Sequence, residues 1–314
     1  MRELRPQSLI LSSDLLFPKE RNALLLTELI INGLTMGCIY ALVALGYSMV
    51  YGILQIINFA HGDIFMLGTF LGLTLVKVFH MPILAAMGIA MIMTAGVGMV
   101  IERLAYRPLR LSDRLAPLLS ALGVSIFLSN FVQLIWGTET RSFPQLIPTG
   151  MINVGGVMIS SLQLIIIALS IILMLCLYYV VQHSTWGIAM RAVSYNMQHA
   201  RLMGIDVDRV IAITFAVGSA LAAAAGILVG IYYDAVFPTM GYSAGLKAFT
   251  AAVLGGIGNI PGAMLGGIIL GVAENLGAAY LASGFRDAIA FGILVLILLV
   301  RPTGLLGKIY QHKV

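Results

Sequence analysis

The stretch that decides the fold class is residues 162–181, which read LQLIIIALSIILMLCLYYVV and contain no charge. About 20 apolar residues in a helix cross the hydrocarbon core of a bilayer. Comparable blocks, two of them short, occur at 24–47, 64–79, 82–101, 115–136, 210–231, 259–280 and 285–300. The apolar stretches 48–58 and 246–256 are too short to span a bilayer alone. The sequence therefore predicts an all-α polytopic membrane protein with about eight to ten transmembrane or half helices.

The composition agrees with this fold class along the whole chain. Of the 314 residues, 60% are apolar and only 10% are charged, whereas soluble domains carry about 25% charged residues. We expect one transmembrane domain over 24–314, preceded by a cytoplasmic or interfacial extension over 1–23. Cys38 and Cys176 lie inside apolar runs and offer neither a disulfide framework nor metal-ligand spacing.

The basic residues are concentrated in four segments. Fourteen of the 18 Lys and Arg residues lie in 1–21, 102–114, 182–209 and 301–314. Cytoplasmic loops of membrane proteins carry an excess of these residues. The distribution predicts that both termini and the two internal segments are cytoplasmic and that 137–161 lies outside. The net charge of +5 then needs no nucleic acid as a partner.

The apolar pattern is interrupted at 58–63 and again at 255–262 by residues that favour turns. Each interruption follows an outward span and a short apolar piece, so the halves near 24–101 and 210–300 indicate a possible internal parallel repeat. Chance is the alternative, because the halves align only with short gaps. Broken helices at matching positions of two halves are typical of transport sites.

The first interruption contains Asn58, His61, Gly62 and Asp63. Polar groups at membrane depth need partners, which a protein interior or a wet cavity supplies and lipid does not. We interpret these residues as an unwound segment that lines a translocation pathway. The alternative, compatible with the first, is that Asn58 or Asp63 caps the following helix.

The second interruption contains Gly258, Asn259 and Pro261. It fails as a dinucleotide-binding loop, because the spacing requires glycine where Pro261 stands. We interpret it as a backbone turn beside the pathway, with helix packing alone as the alternative. Glu274 lies within a predicted span, where an acid is either a pathway residue or a structural hydrogen-bonding group between helices.

Two enzyme interpretations have little support. Ser48 with His61 imitates a protease dyad, but the pattern is short and common. A phosphate-binding loop ending at Lys308 fails, because Pro302 and Ile309 occupy positions that need glycine and a hydroxyl residue. The chain is expected to bind no cofactor and no metal, so transport driven by ATP would need another subunit for hydrolysis.

The segment 182–209 is the expected docking site for such a subunit. Its residues 188–203 contain neither proline nor glycine and predict a short surface helix that ends in a turn at Gly204. A solvated loop with ordinary cytoplasmic charge is the alternative.

Five ordered runs together resemble the permease subunit of bacterial ABC importers for branched-chain amino acids. They are INFAHGD (57–63), ERLAYRP (102–108), GIDVDRVIA (204–212), KAFTAAVLGGIGNIPGA (247–263) and RPTG (301–304). The resemblance covers most of the chain from about residue 29 onward. It implies an inner-membrane subunit, not itself an enzyme, that forms the path for branched-chain or related neutral amino acids.

The resemblance also implies partners and a coupling site. The partners are two ATPases that bind ATP and Mg²⁺, a second homologous permease, which is identical or paralogous, and an extracytoplasmic substrate-binding protein. Importers of this class commonly carry Glu-Ala-Ala-x-x-x-Gly in the docking loop, and the run 198–204 keeps only the last alanine and the glycine. The residues that we assign to coupling are Arg191, Ala192, Gln198, Ala200, Arg201, Gly204 and Ile205.

Two other functions stay open at this point. Permeases for urea or another small polar solute are similar in sequence. A gradient-driven transporter would use His61, Asp63 or Glu274 for ion coupling.

Overall fold

A computed structural model describes residues 18–110, 112–113, 115–144, 150–154 and 156–307. The predicted extension over 1–23 therefore lies outside the described residues, except for 18–23. The first helix already begins at Pro18 and passes through the predicted boundary at residue 24 without a break.

The described residues form eleven α-helices and one β-hairpin. The helices are α1 (Pro18–Leu54), α2 (His61–Lys77), α3 (Ile83–Ile101), α4 (Leu115–Trp136), α5 (Ser161–His183), α6 (Thr185–Tyr195), α7 (Met197–Leu202), α8 (Val207–Tyr233), α9 (Met240–Gly255), α10 (Ile260–Tyr280) and α11 (Arg286–Val300). The antiparallel hairpin pairs β1 (Met151–Val154) with β2 (Val157–Ser160). A π-helical turn, Glu102–Tyr106, follows α3.

Seven of the described helical segments are long and apolar enough to cross a membrane, namely those that contain α1, α3, α4, α5, α8, α10 and α11. The remaining long elements of the bundle, α2 and α9, have 17 and 16 residues. This result confirms the predicted polytopic helical fold. Most of the short apolar stretch 48–58 belongs to α1, because this helix continues without a break to Leu54.

The centre of the bundle consists of α1, α2, α8 and α9, whereas α4, α5 and α11 expose apolar faces. Glycines allow α10 to approach α1 of this centre closely. A Cβ on Gly33 would lie 2.7 Å from the Val272 backbone, and one on Gly37 would lie 2.8 Å from the Ile268 backbone. A Cβ on Gly267 of α10 would likewise overlap the Ala41 backbone.

The predicted parallel repeat is wrong, because its two first spans run in opposite directions. Met36 of α1 contacts Tyr233 of α8, and ten residues later Gly46 faces Gly218, which comes earlier in α8. In addition, α1 packs along α10, whereas α8 packs along α3. This is the arrangement of an inverted repeat, α1–α3 and α8–α10. The hydropathy pattern predicts the order of the helices along the chain, but it contains no information on the direction in which each helix crosses the bundle.

α5 runs from one end of the bundle to the other, from the β-hairpin that precedes it to the segment 182–209. We call the end with the β-hairpin the hairpin end, and the end with residues 182–209 the coupling end. The start of α1 lies at the hairpin end, because the Met158 amide donates to Glu28 at 3.3 Å. α10 also finishes near this end, where Asn275 donates to the Leu29 carbonyl.

The described C-terminal segment 301–307 lies at the coupling end. Its Leu306 amide donates to the Gly255 carbonyl at 2.9 Å, beside the start of α10. The two described ends of the chain are therefore on opposite ends of the bundle, and the prediction that both termini share one face is wrong for them. Together with the seven long spans, the shorter helices α2 and α9 give nine traverses within the described residues, inside the predicted range of eight to ten. An odd number does not return the chain to its starting face.

Candidate functional site

The first interruption, predicted at 58–63, is a break at residues 55–60 between α1 and α2 at the centre of the bundle. The predicted unwound segment is confirmed for Asn58 and wrong for His61, Gly62 and Asp63, which form the first turn of α2. We keep the name first interruption for residues 55–63.

Asn58 Oδ1 accepts a hydrogen bond from the Tyr106 hydroxyl at 2.8 Å. The His61 ring meets Tyr47 edge-on, with 4.7 Å between ring centroids. The helix-cap interpretation is wrong, because the residue that caps α2 is Ala60 and its cap contains no side-chain hydrogen bond.

Gly62 lies where α2 crosses α9. A Cβ on Gly62 would overlap the Gly241 carbonyl and lie 3.0 Å from the Gly245 Cα. The reciprocal Cβ on Gly241 would overlap the Gly62 carbonyl. Backbone atoms cannot rotate away, so the crossing requires glycine on both helices.

Asp63, in the next position, is held by α4. Its carboxylate accepts hydrogen bonds from the hydroxyls of Ser125 and, at 2.9 Å, Ser129. These serines are one turn apart on α4, so each donates to a different carboxylate oxygen of Asp63. The structure thus joins α2 to α4 through a buried acid that has hydroxyl partners.

Several polar atoms around this interruption are buried and have no hydrogen-bond partner of good geometry among the described residues. They are Ser48 Oγ, Asn58 Nδ2, His61 Nε2 and Ser219 Oγ. Such groups cost about 1–3 kcal/mol each unless water or another partner satisfies them. Asn58, His61 and Asp63 are only 2%, 1% and 5% exposed, so the interruption is closed in this conformation.

The second interruption, between α9 and α10, has a different construction. Asn259 caps α10 by accepting from the Gly262 amide at 3.2 Å, and its own amide group donates to the Leu306 carbonyl at 2.7 Å. Pro261 occupies the first turn of α10, a position that needs no amide donor. Gly258 has a positive φ of 88° and lies beside Gly52.

The two interruptions contact different levels of α1. Gly258 lies beside Gly52 of α1, whereas His61 lies beside Gly46, which is about 9 Å away along the helix. The pathway role of Gly258, Asn259 and Pro261 stays a prediction, and their observed contacts are those of a helix cap and a tether.

Glu274 lies apart from both interruptions, toward the hairpin end. Its carboxylate accepts from Lys247 Nζ at 2.8 Å, and the same ammonium pairs with Asp287 at 2.8 Å. The three residues connect α9, α10 and α11. Glu274 therefore has the structural role between helices that is one of its two predicted roles. A role in the pathway stays a prediction. Lys247 is the partner that sequence reasoning missed, because 27 residues separate the two.

At the coupling end, the predicted single helix over 188–203 is wrong, since Asn196 divides it into α6 and α7. Asn196 adopts an extended backbone, and its side chain accepts from the amides of Gln198 and His199 at 2.9 and 3.0 Å. Asparagine is a strong helix N-cap, which explains the division. The predicted turn at Gly204 is confirmed by its positive φ of 81°.

The predicted coupling residues have different positions in this unit. Gln198 and Arg201 are exposed, Gly204 forms the open turn, Ala192 and Ile205 are half-buried, and Ala200 is buried. Arg191 donates to the Val181 carbonyl and thereby fixes α6 to the end of α5. Sequence reasoning gave no role to three exposed apolar residues, Tyr195, Leu202 and Met203, which are 85%, 83% and 82% exposed. Large apolar side chains at the ends of short helices in a charged segment are the signal that identifies them.

Comparison with known proteins agrees with this architecture. Residues 29–299 match the family model described as the permease component of branched-chain amino acid transport systems. The chain is 46% identical to the high-affinity branched-chain amino acid transport permease BraD of Pseudomonas aeruginosa, over 91% of this chain and 97% of that protein. It is 45% identical to LivH of Escherichia coli, over 90% of this chain and 96% of that protein. This chain therefore belongs to the family of branched-chain amino acid transport permeases.

Proposed function

We propose that the chain forms the translocation path of a bacterial inner-membrane ABC importer for branched-chain amino acids. Two ATPase subunits drive it, and a second homologous permease and an extracytoplasmic binding protein complete the complex. ATP and Mg²⁺ belong to the ATPases. The observation that carries the proposal is the unit α6–α7 at the coupling end, which displays Tyr195, Leu202 and Met203 beside charged residues.

Exposed apolar side chains outside the bilayer indicate a protein contact. The bond from Arg191 to the Val181 carbonyl connects α6 to α5, and Arg201 pairs with Asp208 of α8 at 3.6 Å. A displacement of α6–α7 by an ATPase would therefore act on two long helices. Coupling requires that the two conformations of the permease bind the ATPases differently.

The charges favour a cytoplasmic coupling end. Seven arginines lie there: Arg103, Arg107, Arg110, Arg191, Arg201, Arg209 and Arg301. Six basic residues of the described segments lie toward the hairpin end: Lys19, Arg21, Lys77, Arg141, Lys247 and Arg286, of which Lys247 is paired with Glu274 and Asp287. The coupling end therefore carries more basic residues, as the positive-inside rule expects of a cytoplasmic face. The hairpin end would then face the binding protein, and the described start of α1 would face outside.

The closed first interruption supports a pathway that opens in another conformation. Asn58, His61, Gly62 and Asp63 remain our candidates for the path, since unpartnered atoms of Asn58 and His61 gain from hydration when the helices separate. Asp63 and Glu274 are bonded to serines and to Lys247, so no observation favours ion coupling through them. The named substrates of the relatives favour amino acids over urea.

The test is copurification of the chain with its ATPases in gentle detergent. The double variant L202D/M203D should lose the ATPase subunits, because it places charges in an apolar contact. The matched control Q182D/H183D adds the same two charges at exposed polar positions at the end of α5, outside the assigned coupling residues, and should retain them. Retention by L202D/M203D would contradict the docking site. Wild-type chain that purifies alone and imports leucine on an ion gradient would contradict the importer itself.

A further inference from the structure

A network of ionic and polar contacts begins at Asp208, in the first turn of α8. Its carboxylate pairs with Arg107, with Arg110 at 2.8 Å and with Arg201 at 3.6 Å. Arg201 belongs to α7, whereas the other two follow the π-helical turn after α3. Asp208 therefore joins the proposed ATPase contact to the end of α3.

From Arg110 the network continues into the protein. Arg110 also pairs with Glu102 at 2.8 Å, and the side chains of this pair are only 8% and 2% exposed. Glu102 is the first residue of the π-helical turn. Such turns inside α-helices occur often at functional sites, because they loosen the regular hydrogen-bond ladder.

The last residue of the same turn, Tyr106, reaches the first interruption. Its ring packs against Phe215 of α8, with 5.1 Å between centroids, and its hydroxyl donates to Asn58 at 2.8 Å. The Asn58 carbonyl in turn accepts from the His61 amide at 3.1 Å, at the start of α2. Asn58 is thus bonded to the turn on one side and to α2 on the other.

We propose that Asp208 and Tyr106 are positioning residues of a relay that transmits motion of α7 to the first interruption. The relay runs through the contacts Arg201–Asp208–Arg110–Glu102 and then through the π-helical turn to Tyr106 and Asn58. This inference rests on the proposed function, because it requires an ATPase at α7. The Arg201 contact is the longest link, and Arg201 is 59% exposed, so it is the link that changes between conformations.

The test uses the complete transporter in proteoliposomes with its ATPases and a leucine-loaded binding protein. Leucine uptake and ATP hydrolysis are measured together. Y106F removes only the hydroxyl and keeps the ring on Phe215, and D208N keeps the shape while removing the charge. We expect each variant to assemble and hydrolyse ATP while uptake per ATP falls about five-fold or more.

Two controls match these changes. Y280F removes the hydroxyl of an exposed tyrosine at the hairpin end, and D113N removes an exposed carboxylate near the coupling end. Both should keep the wild-type ratio of uptake to hydrolysis. A purely structural role would lower assembly, uptake and hydrolysis together and leave that ratio unchanged, which would overturn the relay.

The double variant Y106F/D208N provides a second criterion. Residues of one relay give a combined defect no larger than that of the worse single variant, whereas independent defects multiply. Multiplied defects would overturn the relay even if each single variant is uncoupled. Failure of the wild-type chain to assemble with ATPases would instead refute the proposed function, so the two failures are distinguishable.

Discussion

The two helix interruptions are made of similar residues and differ in how their polar groups are satisfied. At the first, Asn58 Nδ2 and His61 Nε2 are buried without a hydrogen-bond partner of good geometry among the described residues. At the second, Asn259 uses its oxygen to cap α10 and its nitrogen to hold Leu306. An interruption with unsatisfied groups gains hydrogen bonds by rearranging, whereas one with satisfied groups loses them. We therefore expect the first interruption to rearrange during transport and the second to hold the C-terminal segment in place.

The largest effect is expected from G62A at the crossing of α2 and α9. The new methyl group would overlap the Gly241 carbonyl, and backbone atoms on both sides prevent a local adjustment. Overpacking of a tight core costs about 1–3 kcal/mol, so we expect loss of leucine uptake and a lower melting temperature in detergent. The control is G123A, since nothing lies within 4 Å of a Cβ at Gly123. Wild-type uptake and stability in G62A would refute the crossing as described.

A smaller loss is expected from the double variant S125A/S129A. It removes both hydroxyl donors from the buried Asp63 carboxyl group, and a typical hydrogen bond contributes a net of about 0.5–1.5 kcal/mol. The measurement is thermal unfolding, followed by uptake of the assembled transporter. S120A is the matched control, because its hydroxyl bonds a backbone carbonyl, that of Ala105. If S125A/S129A is as stable as S120A, α4 does not hold α2 through Asp63.

The positions of the spans and, to within about three residues, of both interruptions were predictable, because they depend on local composition. The block 162–181, for example, corresponds to α5 at Ser161–His183. The directions of the helices were not predictable in this way. The half helices α2 and α9 carry too short an apolar signal to be counted reliably as traverses, and each one reverses every direction that follows.

The side-chain networks were also beyond local patterns. Asp208 is separated by about one hundred positions from Arg107 and by 98 from Arg110, and Tyr106 by 48 from Asn58. Their contacts follow from α3 packing along α8, which no single segment encodes. The polar cluster at 58–63 was identifiable because unpaired polar residues in an apolar run need partners, but the identity of those partners required the fold.

The smallest effect, and the one that separates the two interruptions most clearly, is expected from N259A. The variant loses the cap of α10, which is worth about 1 kcal/mol, and the bond to Leu306. Because the second interruption anchors the C-terminal segment, the melting temperature should fall slightly while leucine uptake per assembled transporter stays at the wild-type level. N130A serves as the control, since the Asn130 amide is exposed and bonds only the Ile126 carbonyl of its own helix. A loss of uptake in N259A at unchanged stability would place Asn259 in the pathway and remove the distinction between the two interruptions.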